Sequence, residues 1–163
     1  MTPQDCIYFY SNTAFSNFHK STFTMSHSCI GKPNDVFSYP TSEHAIMHLK
    51  ACLMGDDDIA DKILSCDKPL QAKRLGRRVK PWDEAKWKSN VANIAYEVLL
   101  AKFTSKEALA RKLRDTKGKV LAEASATDKI WGIGLGLAKA KAGETWKGEN
   151  LLGVSLMKVR DAI

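Results

Sequence analysis

The pattern of apolar and polar positions divides the chain into a short N-terminal part and a longer helical part. Before Pro40, three short segments rich in aromatic and β-branched residues predict strands: CIYFY (6–10), STFTM (21–25) and DVFSY (35–39). Residues 31–35 (GKPND) predict a turn. After Pro40, apolar residues recur mostly at helical spacing. The pattern predicts a mainly α, single-domain fold with a small N-terminal β element.

Capping residues set the predicted helix boundaries. Thr41 or Ser42 suits the N-cap of the first helix, which should run to about Met54 and stop at Gly55. Four further helices are predicted at 56–66, from Pro69 to Gly76, from Asp83 to Phe103, and from a Ser105 cap to a stop near Gly118. A C-terminal helix is predicted within 148–163. The apolar face of the longest helix contains Trp87, Val91, Ile94, Val98 and Leu99, and that of the last contains Leu152, Leu156 and Val159.

Length and composition narrow the class of protein. A chain of 163 residues can bury the core of one domain. No apolar run approaches the roughly 20 residues of a membrane span, and the N-terminus lacks the pattern of a signal peptide. The four cysteines are widely spaced without a CxxC pair, which indicates free thiols in a reducing cytoplasm and argues against a zinc ribbon or a disulfide framework.

The charge balance points to anionic partners. The net charge is +7, with 25 Lys and Arg against 18 Asp and Glu. Such an excess favours nucleic acid or a phosphorylated small molecule.

The first predicted helix carries more titratable groups than an interior helix needs. Glu43 and Lys50 are separated by about 700° of helical rotation, so they project from nearly the same face, about 10 Å apart along the axis. An acid and an amine at that distance could bracket a small substrate. The alternative is that both lie at the solvent edge of the helix.

His44 and His48 have the i, i+4 spacing by which two imidazoles can bind one metal ion. No third ligand is marked in the sequence, so packing or capping roles are favoured, and no metal site is predicted.

Two further segments could bind a nucleotide. Lys73, Arg74, Arg77, Arg78 and Lys80 surround the predicted end of the third helix, where they suit either a phosphate or a solvated face. In ATDKIWGIG (126–134), Trp131 is followed by a glycine and offers a flat face for stacking on a base. Asp128 could then orient or protonate that base. The alternative is a core tryptophan with a capping aspartate.

Seven segments in order along the chain resemble the NADAR family, also called YbiA-like. They are FSNF (15–18), YPTSEHAIMHLKA (39–51), AKRLGR (72–77), Trp87, AKF (101–103), ATDKIWGIG (126–134) and GENLLGVSLMKVR (148–160). The resemblance covers essentially the whole chain. The family is known for N-glycosidases: one branch cleaves an aminopyrimidine from ribose 5-phosphate in early riboflavin-pathway intermediates, and another removes ADP-ribose from guanine in nucleic acid.

The resemblance implies roles for individual residues. Lys50 would attack the anomeric carbon and form a Schiff base, while Glu43 or Asp128 would transfer protons. Trp131 would stack on the base, Arg74 or Arg77 would bind phosphate, and Asn17 would bind ribose hydroxyls. Asn150 would also bind them or, alternatively, cap the last helix. The full set of expected substrate-binding residues is Asn17, Phe18, His44, Lys73, Arg74, Arg77, Trp87, Trp131, Gly132 and Asn150.

The sequence therefore predicts a cytoplasmic N-glycosidase without metal or redox cofactor. The leading substrate is a riboflavin-pathway intermediate, a small phosphorylated ribosyl compound. The alternatives are an ADP-ribosyl-guanine hydrolase acting on DNA or RNA, and a non-catalytic module that binds ADP-ribose or nucleic acid. Departures from the family pattern are Phe15, His48 and the basic segment 134–150, which could adapt the entrance to a larger or more anionic substrate.

Overall fold

The structure is a computed structural model that describes residues 5–11 and 13–163. Within these ranges lie four strands and seven α-helices. The strands are β1 (Cys6–Phe9), β2 (Phe23–His27), β3 (Lys32–Tyr39) and β4 (Val120–Glu123). The helices are α1 (Ser42–Met54), α2 (Asp57–Ser65), α3 (Pro69–Gly76), α4 (Glu84–Thr104), α5 (Glu107–Arg114), α6 (Leu137–Lys141) and α7 (Leu151–Ala162). The predicted mainly α fold with a small β element is confirmed.

The strands form two separate two-stranded sheets. β2 and β3 pair antiparallel, and β1 pairs parallel with β4, with Cys6 opposite Val120 and Phe9 opposite Glu123. The sequence predicted the first three strands but not β4. The β1–β4 pairing places Glu123 at the carboxyl end of a buried strand.

The turn predicted at residues 31–35 is displaced. A 3₁₀ turn spans Ser28–Ile30 and ends at Gly31, whose φ of 77° lies in the left-handed region. Lys32 then pairs with His27, and the register shifts between Ser26 and His27. Residues 32–35 therefore belong to β3, because the glycine completes the reversal earlier than the Pro-Asn-Asp sequence suggests.

The boundaries of α1 and α3 confirm the predictions made from capping residues. The Thr41 hydroxyl accepts a hydrogen bond from the His44 N–H, and Gly55 ends α1 with a φ of 78°. α3 begins at Pro69 and ends at Gly76. These boundaries depend on chemistry within a few residues of each helix end.

The prediction that Ser105 caps α5 is wrong. Ser105 follows the last residue of α4, and its hydroxyl donates to the Lys102 carbonyl at 2.6 Å. α5 begins at Glu107, after Lys106. The hydroxyl satisfies a carbonyl at the end of the preceding helix instead of an N–H at the start of the next one.

The helix α4 contributes apolar side chains to two clusters of the core. One cluster packs Ile46 and Leu49 of α1 against α2, α3, β2 and β3. The other packs α4, α5 and α7 against β1 and β4, and Leu152, Leu156 and Val159 are fully buried there, as predicted. Almost every side chain of α1 is buried. Its polar groups must therefore bond inside the protein or face a cavity.

The structure agrees with the predicted state of the cysteines. All four are free thiols: Cys6, Cys29, Cys52 and Cys66. In the described ranges, no helix combines the length and the apolar character needed to cross a bilayer.

Candidate active site

A cavity of about 510 Å³ lies beside α1. The expected site residues that line it are Asn17, Phe18, Glu43, Lys50, Lys73, Arg77, Trp87, Asp128 and Trp131. The sequence did not single out five others that line it: Met47, Glu123, Thr127, Lys129 and Ile130. α1, α3, α4, the segment that contains Asn17 and the loop after β4 thus converge on one space.

One face of α1 forms a wall of the cavity. Three of its residues line the cavity: Glu43, Met47 and Lys50. Successive members of this set are separated by about one helical turn, so they project from the same face. α3 approaches this face closely, because a Cβ added at Gly76 would lie 2.1 Å from the Met47 sulfur. The glycine therefore lets the Lys73 and Arg77 side chains face the same space as α1.

Glu43 is a buried acid that titrates near neutrality. Its side chain is 8% exposed. Burial raises its pKa to about 7, and the Glu123 and Asp128 carboxylates act in the same direction, whereas Lys73 and Lys50 oppose the shift. A carboxyl with this pKa can both donate and accept a proton at neutral pH.

Glu123 is a second acid in the cavity. Burial, followed by the charge of Asp128, raises its pKa to about 7. Its Oε2 atom is buried without a hydrogen-bond partner among the described residues. The only sequence signal was an acid directly after a short apolar run, and its position depends on the pairing of β4 with β1, which is distant along the chain.

The Lys50 amine lies against two indole rings. Its Nζ atom is 4.7 Å from the Trp82 ring centroid and 5.5 Å from that of Trp87. Burial lowers the pKa of Lys50 and the Arg77 charge adds to this, while Glu43 and Glu84 oppose it. A larger share of the amine is therefore neutral than in a lysine exposed to water.

The loop after β4 has a capping aspartate and a tryptophan packed on the core, and both side chains also line the cavity. The Asp128 Oδ1 atom accepts hydrogen bonds from the N–H groups of Ile130 (3.0 Å) and Trp131 (2.8 Å), so it does cap the turn. Trp131 packs against both core clusters and also lines the cavity. Its ring is thus fixed by the core while part of it faces the cavity.

The segment at residues 14–18 is attached to two helices. The Asn17 carbonyl accepts from the Glu43 N–H at 2.9 Å, and its side-chain oxygen accepts from the Ser42 hydroxyl at 2.8 Å. The fully buried Lys102 ammonium donates to the carbonyls of Ala14 (2.7 Å) and Ser16 (3.0 Å). These bonds fix Asn17 beside the start of α1.

Two of the expected substrate-binding residues have other partners in the structure. The ring nitrogens of His44 bond to the Thr41 hydroxyl (2.7 Å) and the Cys66 carbonyl (3.0 Å), which ties α1 to the end of α2. The Asn150 side chain accepts from the Glu123 N–H and donates to the Leu121 carbonyl. Asn150 therefore holds β4, and its side chain makes no capping hydrogen bond to α7.

Two more of the expected residues do not line the cavity. Arg74 is exposed on α3. Gly132 is buried where a Cβ would lie 3.0 Å from the Asp128 carbonyl oxygen and 3.1 Å from that of Glu123. The glycine allows the loop to fold tightly behind Trp131.

A group of possible metal ligands lies among buried side chains around α1. The donor atoms of His27, His48 and Cys52 lie within 4.8 Å of one another. The Tyr39 hydroxyl forms hydrogen bonds of 2.6 Å with both imidazoles, and the Cys52 sulfur lies 3.6 Å from the far nitrogen of His48. Burial lowers the pKa of His48 to about 4. The predicted packing role of His48 is thus matched by a chain of hydrogen bonds between neutral groups.

Comparisons with known proteins identify relatives. The model of the NADAR domain matches residues 8–163. Protein irg-1 of Caenorhabditis elegans is 34% identical over 96% of this chain and 78% of its own length. N-glycosidase R617 of Acanthamoeba polyphaga mimivirus is 39% identical over 76% of this chain and 74% of its own length.

A plant protein and a solved structure extend the comparison. The chloroplastic riboflavin biosynthesis protein PYRR of Zea mays is 33% identical over 92% of this chain, which corresponds to 23% of that protein. The NMR structure of Escherichia coli YbiA superposes with a TM-score of 0.73 at 29% identity and covers 97% of this chain and 84% of that one. The agreement of motifs, fold and family match shows that this chain belongs to the NADAR domain family.

Proposed function

We propose that this protein is an N-glycosidase that hydrolyses the bond between a base and a phosphorylated ribose. One observation carries the proposal. An amine whose pKa is lowered by burial (Lys50) and two carboxyls with a pKa of about 7 (Glu43 and Glu123) line one cavity together with two basic residues in and directly after α3. This set supplies a nucleophile, a proton donor and a site for phosphate.

In the proposed reaction the neutral Lys50 amine attacks the anomeric carbon. The bond from that carbon to the base nitrogen breaks, and a protonated carboxyl, Glu43 in our proposal, gives its proton to the departing base. A proton passes from the lysine nitrogen of the adduct to the ring oxygen, the bond between this oxygen and the anomeric carbon breaks, and the open sugar remains as a protonated Schiff base. Water then adds to the same carbon, the sugar leaves, and the amine is regenerated. Asp128 or the ionised Glu43 can accept the proton from that water.

Substrate orientation would come from the remaining lining residues. Lys73 lies on α3 and Arg77 directly follows it, and both can bind the 5-phosphate. Trp131 and Phe18 offer ring faces to the base. The side-chain oxygen of Asn17 accepts from Ser42, so its NH₂ group remains to bind a ribose hydroxyl.

The leading substrate is an aminopyrimidine attached to ribose 5-phosphate, as in riboflavin-pathway intermediates. The names of the mimiviral and maize relatives support the reaction and this pathway respectively. The second candidate is removal of ADP-ribose from guanine in DNA or RNA, which the net charge of +7 favours. A non-catalytic binding module is less well supported, because binding alone does not require acids with raised pKa beside an amine.

The test is to incubate the protein with both types of substrate and identify the released base by mass spectrometry. Release of free base by the wild type but not by Lys50→Ala supports the proposal. Lys62→Ala is a matched control, because this lysine lies on α2 in an exposed ion pair with Asp58. Absence of base release from every substrate would overturn the proposal.

A further inference from the structure

A second cavity of about 480 Å³ lies beside the first. Lys129 lines both cavities, so the two adjoin at this side chain. Lys139 and Lys147 complete the basic part of the second cavity, and its floor is the segment 134–138. This segment is part of the basic stretch that the proposed reaction leaves unused.

The charge around the second cavity is uncompensated. No carboxylate lines it. In the described part of the chain, the ammonium groups of Lys129, Lys139 and Lys147 form neither an ion pair nor a hydrogen bond. Like charges grouped around one cavity repel one another, and this repulsion is relieved when an anion binds between them.

Two of these lysines are held side by side by the backbone. Gly134 has a φ of 71°, and a Cβ at this position would lie 3.0 Å from the Lys147 Cβ and 3.2 Å from the Lys129 Cγ. The Lys147 N–H donates to the Ile133 carbonyl, and the Glu149 N–H donates to the Lys129 carbonyl, both at 2.8 Å. The glycine therefore permits both lysine stems to pack over the same point.

We propose that the second cavity binds a phosphate group that the substrate carries beyond the ribose in the first cavity. The inference rests on the proposed function and concerns its second candidate substrate, because the leading substrate carries only the one phosphate assigned to the first cavity. Such a phosphate occurs in a pyrophosphate-linked nucleotide and in the neighbouring nucleotide of a nucleic-acid strand. Lysine suits this position, because its ammonium binds phosphate as a point charge without a fixed geometry.

The kinetic experiment uses Lys139→Ala and Lys147→Ala with Lys141→Ala as the matched control. Lys141 is exposed on the same short helix as Lys139 but does not line the cavity. Three substrates carry the same base: one on ribose 5-phosphate, one on a pyrophosphate-linked nucleotide and one within a short single-stranded oligonucleotide. Each cavity variant should raise KM for an extended substrate about fivefold, as expected for one exposed charge pair. KM for the short substrate should not change.

The two extended substrates distinguish the sources of the phosphate. A rise in KM confined to the pyrophosphate-linked substrate assigns the cavity to a diphosphate, and a rise confined to the oligonucleotide assigns it to a strand. The proposal is overturned if both cavity variants behave as Lys141→Ala does with every substrate.

A binding measurement separates this inference from the proposed reaction. ADP contains two phosphates, and its affinity can be measured by calorimetry in a Lys50→Ala background, where the proposed mechanism cannot cleave its N-glycosidic bond, even if the wild type cleaves no substrate. Weaker ADP binding in Lys139→Ala and Lys147→Ala, but not in Lys141→Ala, would support the second site in the absence of activity. If all three variants bind ADP as tightly as the Lys50→Ala parent does, and likewise the oligonucleotide, the second site is excluded.

Discussion

Glu43 and Glu123 reach one cavity from different elements, and burial raises the pKa of both carboxyls to about 7. Glu43 comes from the first turn of α1, whereas Glu123 ends β4. Asp128 raises both pKa values and Lys73 lowers both. At neutral pH, each of these two carboxyls can therefore donate or accept a proton.

The first prediction concerns the pH dependence of catalysis. If a protonated carboxyl must donate to the departing base, kcat/KM should fall as the pH rises above about 7. Glu43→Gln keeps the shape but cannot donate the proton, so we expect kcat to fall by roughly 100-fold or more. The measurement is a pH–rate profile of wild type and variant with the cleaved substrate. A wild-type rate that is constant from pH 6 to pH 9 would contradict a general acid with this pKa.

The second prediction concerns stability and Glu123. A folded-state pKa raised above the unfolded value means that the folded protein holds this proton more tightly. The resulting stability is present at low pH and is lost as the pH rises from about 4.5 to about 7. Glu123→Gln removes the charge, so we expect it to stabilise the protein by about 1–2 kcal/mol at pH 8 and by less at pH 5. Denaturant unfolding of wild type and variant at the two pH values tests this. An equal change in the free energy of unfolding at both values would contradict a buried charge on Glu123.

The third prediction concerns Lys50. Lys50→Ala should lose catalysis while its unfolding transition remains close to that of the wild type, because the side chain is only partly buried. Borohydride added during turnover should trap the opened sugar on Lys50 of the wild type, which peptide mass spectrometry can locate. An active Lys50→Ala enzyme, with no adduct on the wild type, would replace the Schiff-base mechanism by direct attack of water.

The fourth prediction concerns Lys102. Burial lowers its pKa to about 7. Between that value and the unfolded value of 10.5, the unfolded chain binds more protons, so the free energy of unfolding should rise with pH. Lys102→Met should flatten this rise. It should also raise KM, because it removes the bonds that hold the segment containing Asn17.

Lys106→Ala is the control for Lys102. Lys106 also bonds the N-terminal part of the chain, through the Ser21 hydroxyl at 3.3 Å, but it is exposed. We expect the control to retain the pH-dependent rise in stability and a nearly normal KM. A Lys102→Met variant with unchanged KM would show that the buried lysine does not position the site.

The fifth prediction compares two arginines of the basic cluster. Arg77, which directly follows α3, lines the cavity, whereas Arg74 in the last turn of α3 does not. Arg77→Ala should raise KM for the phosphorylated substrate about tenfold, with little change in kcat, if the phosphate contact is equal in ground and transition states. Arg74→Ala should have little effect. A larger rise in KM for Arg74→Ala than for Arg77→Ala would place the phosphate outside the cavity.

The parts of the structure that the sequence predicted depend on local chemistry. The Thr41 cap, the Gly55 stop and the Pro69 start follow from conformations and hydrogen bonds within one helical turn. The common face of Glu43 and Lys50 follows from helical rotation alone. Glu43 and Lys50 therefore both line the cavity, as their spacing in the first helix predicted.

The parts that the sequence missed depend on contacts between distant segments. Glu123 reaches the cavity only because β4 pairs with β1 and because Asn150 bonds to the end of β4. Ser105 could have capped either of two helices, and only the relative position of their ends decides between them. His44 was expected to bind substrate, but one of its ring nitrogens bonds to the carbonyl of Cys66, directly after α2, which no spacing within α1 reveals.

The contact between Gly76 and Met47 makes the width of the cavity depend on a single position. Residue 76 has no side chain, and a Cβ there would overlap the Met47 sulfur, so that either the methionine side chain or α3 would have to move. The spacing between the Lys73 and Arg77 side chains and the Lys50 amine therefore depends on the packing of Met47 against Gly76. A larger residue at position 76 would push the two helices apart or displace Met47, and so would change the dimensions of the cavity while the identity of its other lining residues stayed the same.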